Sequence, residues 1–314
     1  MKKEIITFFN QAQAPIQNVA ITTKNPKNVQ LDVLREDQLH PVVSGNKYRK
    51  LKYNLLQVVE NNYAGILTYG GAYSNHIAAV AAAGHHFQIP SVGIIRGEEL
   101  YTDEKIAGNE TLAFAKAKNM NFKFVSRSVY QKKEHSDEIQ EILQEFSDYY
   151  VLPEGGTNEL AVQGCAEILD QRTADYDIVC CPVGTGGTLA GICQSAHEKQ
   201  LIMGYSALKG LDVRKLIAPY TNRKIQVVQE DVFGGYGKID ERLIAFCNAF
   251  AKAQQIHLDP VYTGKMLYRL YEAIENGTFA SHTRILAIHT GGLQGLAGMN
   301  QRIKNKYDNH FNYA

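Results

Sequence analysis

Short apolar runs and amphipathic stretches take turns along this chain. Val29–Leu34, Gly65–Tyr69, Ser91–Ile95, Phe122–Val125, Tyr150–Leu152, Asp177–Val183, Leu201–Leu208, Ile225–Val228 and Arg284–Ile288 read as strands. Between them, apolar positions recur at helical spacing, as at Leu51, Leu55, Val58 and Val59 within Tyr48–Glu60. Asn75–Gly84, Ala107–Asn119, Ser136–Tyr149, Asn158–Asp170, Leu189–Lys199, Arg242–Gln254 and Lys265–Glu275 read as further helices. Strands alternating with helices predict an α/β fold, with parallel-rich twisted sheets flanked by helices. There is no internal repeat and no low-complexity linker, so composition marks no domain boundary.

The 314 residues suffice for two lobes or one large α/β domain. Thirty-three Lys and Arg against 32 Asp and Glu give a net charge of +1, so no broad field favours nucleic acid or a membrane surface. Lys132-Lys133 reads as part of a solvated surface run. The five cysteines are odd in number and form no C-x-x-C pair. They read as reduced thiols of a cytoplasmic protein. Cys180 and Cys181, adjacent on a strand, should point to opposite faces. The apolar run at the N-terminus is too short for a signal-peptide core, and no stretch approaches the ~20 apolar residues of a membrane span. No metal site is expected.

Chemistry concentrates where strands or loops hand over to helices. Val183-Gly184-Thr185-Gly186-Gly187-Thr188 follows a strand and opens a helix. Its glycines let backbone N–H groups approach an anion, its threonines add hydroxyl donors, and the helix N-terminus adds partial positive charge. It has neither the P-loop nor the dinucleotide spacing. Alone, it has a competing reading as a ligand-free glycine turn. Ser44-Gly45-Asn46-Lys47-Tyr48-Arg49-Lys50 precedes another helix, with Ser44 a plausible cap. Lys47 and Lys50 share a face there, against the macrodipole, which hints at a negative ligand and at a lowered lysine pKa. The bland alternative is two surface lysines. Gly70-Gly71-Ala72-Tyr73-Ser74-Asn75-His76 is a third junction. Ser74 could simply cap its helix, and His76 by itself reads as a packing residue. Asp259–Lys265 and Ile288–Gly292 are a fourth and a fifth. Five such junctions suit one small anionic cofactor with a small anionic substrate.

Together these segments resemble the 1-aminocyclopropane-1-carboxylate (ACC) deaminase / D-cysteine desulfhydrase family of fold-type-II pyridoxal-phosphate (PLP) enzymes. The resemblance runs from about Leu34 to Gly292. Its pieces keep the family's order: Leu34–Asp37, Gly45-Asn46-Lys47-x-Arg49-Lys50-Leu51, Gly70-Gly71-x-x-Ser74-Asn75-His76, Gly155-Gly156-Thr157-Asn158, Gly184–Thr188, Tyr236-Gly237, Asp259–Lys265 and His289–Gly292. The resemblance implies that Lys47 holds PLP as a Schiff base and that Asn75 hydrogen-bonds the cofactor's ring oxygen. Gly184, Thr185, Gly186, Gly187 and Thr188, with Lys50, would hold the phosphate. Tyr262 would lie against the pyridine, Thr263 and Thr290 near its nitrogen, and Ser74 and Tyr236 toward substrate; Lys47, Ser74, Tyr236 and Tyr262 are the catalytic candidates. The resemblance also implies a homodimer. It further implies a smaller domain of residues 45–158 inserted into a large one made of 1–44 and 159–314.

The chain departs from the family pattern in places. Ser44 stands for the first of two glycines, Tyr73 for a glutamine, and Ala78 and Ala79 for an arginine-glutamine pair. ACC deaminases carry a glutamate where Thr263 stands, whereas desulfhydrases resemble this chain. A neutral hydroxyl gives little support to a protonated ring nitrogen, so the electron sink is weaker. That suffices to expel a thiol better than to open a cyclopropane. The expected reaction is therefore α,β-elimination on D-cysteine or a similar small amino acid, giving pyruvate, ammonia and sulfide. ACC deamination and PLP binding without turnover are the alternatives.

Overall fold

A computed structural model describes residues 1–313. Its strands are β1 (Ile16–Val19), β2 (Gln30–Leu34), β3 (Gly65–Gly71), β4 (Ser91–Arg96), β5 (Met120–Val125), β6 (Tyr149–Leu152), β7 (Ile178–Val183), β8 (Leu201–Ser206), β9 (Gln226–Val228) and β10 (Arg284–Ile288). They form a six-stranded sheet in the order β1-β2-β10-β7-β8-β9 and a four-stranded sheet in the order β5-β4-β3-β6. Every pairing is parallel except β1 with β2. Helices cover both faces of such sheets, which is why the central strands are apolar without alternation. β7 is buried at all of its positions.

The two sheets share one core. Leu51 and Leu55 from the helix Asn46–Glu60 join Ile66 and Leu152 of the smaller sheet with Val183 and Ile288 of the larger. A second core, with Leu243, Leu267 and Ile285, fills the far face of the larger sheet. Cys181 belongs to the first core and Cys180 to the second, as strand alternation requires. All five cysteines are buried and unpaired. Among the described residues no helix is long and apolar enough to cross a membrane.

Four predicted helices are shorter or broken, that over 189–199 ending at Ser195 because Ala196 turns extended. Residues 107–119 divide into Asp103–Ala107 and Glu110–Ala117, because Gly108 ends one turn and buried Asn109 caps the next by accepting from the Leu112 amide. The helix predicted over 136–149 stops at Glu145, since Tyr149 pairs into β6. That over 158–170 stops at Cys165. The helices Lys2–Asn10, Arg127–Lys132, Val213–Ile217 and Leu296–Ile303 and the edge strand β1 are additional to the expected set. Lys2–Asn10 buries Phe8 and Phe9 against Tyr48 and Phe87.

Candidate active site

Contacts bring all five junctions together. From the second, Asn46 Nδ2 donates to Thr188 Oγ1 of the glycine loop at 2.9 Å. Gly45 (φ +61°) abuts the fifth so closely that a Cβ there would lie 2.0 Å from the Thr290 carbonyl oxygen. From the third, Asn75 Nδ2 lies 3.0 Å from where a Cβ on Gly292 would stand. The fourth meets the first through Tyr262, whose ring edge lies 3.0 Å from the corresponding point on Gly184.

Lys47 and Lys50 lie one turn apart and reach one carbonyl. Lys47 Nζ donates to Gly155 O at 3.3 Å and Lys50 Nζ to the same oxygen at 2.9 Å. Lys50 is buried and also donates to Thr157 Oγ1 at 2.9 Å and Thr185 Oγ1 at 3.4 Å. Lys47 is half-buried, and the protein around it withdraws it from bulk water. Burial first, and the neighbouring Lys50 charge second, push the Lys47 ammonium well below its usual range. Burial lowers Lys50 as well. Neither pairs with a carboxylate, although Arg49 and Lys52 in the same helix pair with Glu36 and Glu167. The surface-lysine reading therefore fails.

The glycine loop turns sharply into the helix Gly187–Ser195, with Gly186 at φ +80°. Gly187 accommodates Thr157, and Thr157 Oγ1 lies 2.6 Å from Thr185 Oγ1. Ser74 caps the helix Asn75–Phe87 by accepting from the Ile77 amide. Ser44 does not cap: Gly45 stands at that position, and the Ser44 hydroxyl donates to the Asp37 carbonyl. Asp259 accepts the Val261, Tyr262 and Thr263 amides and so sets the turn that carries Tyr262 and Thr263. Burial, with Tyr236 close by, raises the Tyr262 phenol well above its usual range and keeps it neutral. The two rings sit edge to face at 6.0 Å, and Tyr236 is half exposed at the mouth.

Two neighbours carried no assigned role in the sequence. The Gly155 carbonyl accepts from both lysines and Thr157 Oγ1 from Lys50, and the signal was present: Gly155-Gly156-Thr157-Asn158 is another glycine-rich helix entry. His76 packs behind it. Thr68 Oγ1 donates to Leu152 O, so the His76 Nε2 that meets it at 2.8 Å carries the ring proton.

A family model described as pyridoxal-phosphate dependent enzyme matches residues 21–291. A putative ACC deaminase of Pyrococcus horikoshii is 28% identical over 295 residues, 84% of each chain. The bifunctional D-cysteine desulfhydrase/ACC deaminase of Arabidopsis thaliana, a mitochondrial protein, is 30% identical over 299 residues, 86% of this chain and 74% of that one. The crystal structure of an ACC deaminase homologue superposes with a TM-score of 0.78 at 22% identity, covering 97% and 99% of the two chains.

The residues present fit the cofactor. Two lysines without a counter-charge and a glycine-threonine loop at a helix N-terminus suit its phosphate, and Lys47 offers an amine of lowered pKa to its aldehyde. Asn75 Oδ1 and Thr263 Oγ1 are buried without hydrogen-bond partners, as polar atoms awaiting a ligand would be. On the match over residues 21–291 and the convergence of these five junctions, the chain belongs to the pyridoxal-phosphate dependent enzyme family.

Proposed function

We propose that this protein is a lyase that performs α,β-elimination on D-cysteine or a similarly small amino acid, expelling sulfide and leaving an enamine whose hydrolysis by one water gives pyruvate and ammonia. The observation that carries the reading is Lys47, held at Gly155 O inside the ring of junctions with its ammonium depressed by burial. Bound PLP supplies an electron sink for charge developing at the substrate α-carbon. Lys47 anchors the cofactor and then, as a neutral amine, takes the proton from that carbon. Lys50, Thr185, Gly186, Gly187 and Thr188, with Gly184 giving the loop its close approach, would hold the phosphate. Asn75 would hydrogen-bond the ring oxygen, and Thr290 and Thr263 would lie near the ring nitrogen. The Ser74 hydroxyl and the N–H groups of the helix it caps receive the substrate carboxylate. Tyr262 would lie against the ring, and Tyr236 would face the substrate.

Thr263 favours elimination over ring opening. Its hydroxyl carries no charge with which to hold a proton on the ring nitrogen, so the sink suits a thiol leaving group. Ser74 and Tyr236 would also permit ACC deamination, and a relative named for both activities keeps that second reading in view. Binding without turnover is the reading from another class, raised by Tyr73 on the rim.

Purified protein loaded with PLP and treated with borohydride should carry a covalent adduct on Lys47. Lys47→Ala should lose both the adduct and the cofactor absorbance, and turnover should fall about 10³-fold. Keto-acid detection over D-cysteine, L-cysteine, D-serine and ACC identifies the substrate. Turnover of ACC alone would defeat the elimination reading, and an adduct with no turnover would leave a binding protein. The segregation of β3–β6 into a sheet of their own supports a small domain of 45–158 inserted between 1–44 and 159–314. Five unpaired cysteines support a reducing, cytoplasmic setting. A homodimer, which light scattering would test, rests on the family resemblance.

A further inference from the structure

The loop that carries Tyr236 has little regular structure of its own. It runs from the end of β9 to the helix Glu241–Gln254, with Gly234, Gly235 and Gly237 at φ +84°, +106° and +62°. Left to itself, so glycine-rich a segment would sample many conformations. Yet it is organised around one buried carboxylate. Glu230 Oε1 accepts the Val232 amide at 3.1 Å and the Phe233 amide at 2.9 Å, and Glu230 Oε2 accepts the Gly235 amide at 3.3 Å. Lys265 closes the arrangement. Its Nζ donates to Glu230 Oε2 and, at 2.7 Å, to the Gly235 carbonyl, and it lies 5.6 Å from the centre of the Phe233 ring. The two side chains are 5% and 3% exposed, so both charges are withdrawn from water.

Lys265 stands two residues after Thr263 and three after Tyr262. The pair therefore joins the segment bearing Tyr262 to the segment bearing Tyr236, and the two rings meet at 6.0 Å. Farther along the same helix, Arg269 adds an outer tie by donating to Asp231 Oδ1. A buried ion pair is weak ground for stability, because apolar residues of similar volume often serve as well; fixing one conformation is the better-founded use.

We propose that Glu230 and Lys265 are positioning residues that lock the glycine-rich loop so that Tyr236 is held beside Tyr262 at the mouth of the site. This rests on the reading above that Tyr236 faces the substrate. Neither residue touches the reacting atoms. On this proposal their effect reaches the substrate through Tyr236, so removing the strap and removing the Tyr236 hydroxyl remove the same interaction.

Amide hydrogen exchange and a double-mutant cycle test this on the PLP-loaded protein. Lys265→Met and Glu230→Gln should each lose exchange protection at Val232, Phe233 and Gly235 while the cofactor absorbance persists. Lys265→Met and Tyr236→Phe should each lower kcat/KM, by about tenfold, and the combination should fall no more than about twofold below the worse single variant. Lys265→Arg, which keeps the charge, should recover most of the loss. Unchanged exchange in a folded variant, or losses that multiply to about a hundredfold, would overturn the proposal. Should Lys265→Met fail to fold with Glu230 left charged and unpaired, joining it to Glu230→Gln removes both charges and the same readouts decide. No turnover in the unaltered protein would refute the lyase reading, and hydrogen exchange would still decide the strap.

Discussion

His76 shows how much of a residue's role lies outside its own sequence position. Its Nε2 proton points to Thr68, its Nδ1 is buried without a partner, and Gly156 presses on the ring edge. Burial first, then the Lys47 and Lys50 charges, push its pKa well below the ordinary 6.5. The unfolded chain therefore binds a proton near pH 6.5 that the folded chain refuses until far lower pH. The contribution to stability is complete above 6.5 and is lost as pH falls below it, by up to about 1.4 kcal/mol per pH unit. Urea denaturation at pH 7.5 and 5.5 should show a smaller acid loss in His76→Gln than in the unaltered protein. Equal slopes would mean that the ring is protonated in the fold. Legibility at this scale followed chemistry. Lys47 and the 184–188 loop stood out because their residue types sit at helix entries, while Asn75 was named only through the family resemblance. Thr157 was given no role of its own, since a threonine becomes a lysine's partner only once the 106 residues between them have folded. Ser44 misled because Gly45 alone tolerates the backbone pressed against Thr290.

Helices carry the site by how closely they pack. A Cβ on Gly164 would lie 2.0 Å from the Arg49 carbonyl oxygen, so the helices Asn46–Glu60 and Glu159–Cys165 touch backbone to backbone between Lys47 and Lys50. Gly164→Ala must push them apart. We expect a loss of about 1–3 kcal/mol in unfolding free energy together with weaker cofactor affinity, read by denaturation and by titration of the absorbance band. Unchanged affinity would show that the lysines do not depend on this packing. The long periodic helices and the apolar strands were legible because burial on one face or two leaves its mark on every turn. Boundaries were less so. Nothing local distinguishes Asn109 as a cap within an otherwise continuous helical pattern, or Tyr149 as the first residue of a strand. The edge strand β1 is four residues long and pairs antiparallel, so neither periodicity nor the parallel rule announces it.

At the scale of the whole molecule, the alternation of elements made the parallel α/β class legible, and the order of motifs made the family legible. The strand order and the division into two sheets were not, because hydrophobic patterning says which face is buried and nothing of which strand lies alongside. β10, the last strand, lies between β2 and β7, and its pairing with β2 is parallel. The loop leaving it is what presses on Gly45. This arrangement bears on the order of events during synthesis. Until β10 has been made and placed between β2 and β7, which are translated earlier, the Thr290–Gly291 turn that packs on Gly45 beside Lys47 is missing. Long-range closure of this kind is slow. Refolding followed by the cofactor's absorbance should therefore trail far-ultraviolet circular dichroism and coincide with the slowest phase; coincident traces would show a pocket that forms locally. A nascent chain that stalls before β10 would have the amine and the phosphate loop but would not retain the vitamin, so coenzyme uptake would mark the molecules in which β10 has taken its place between β2 and β7.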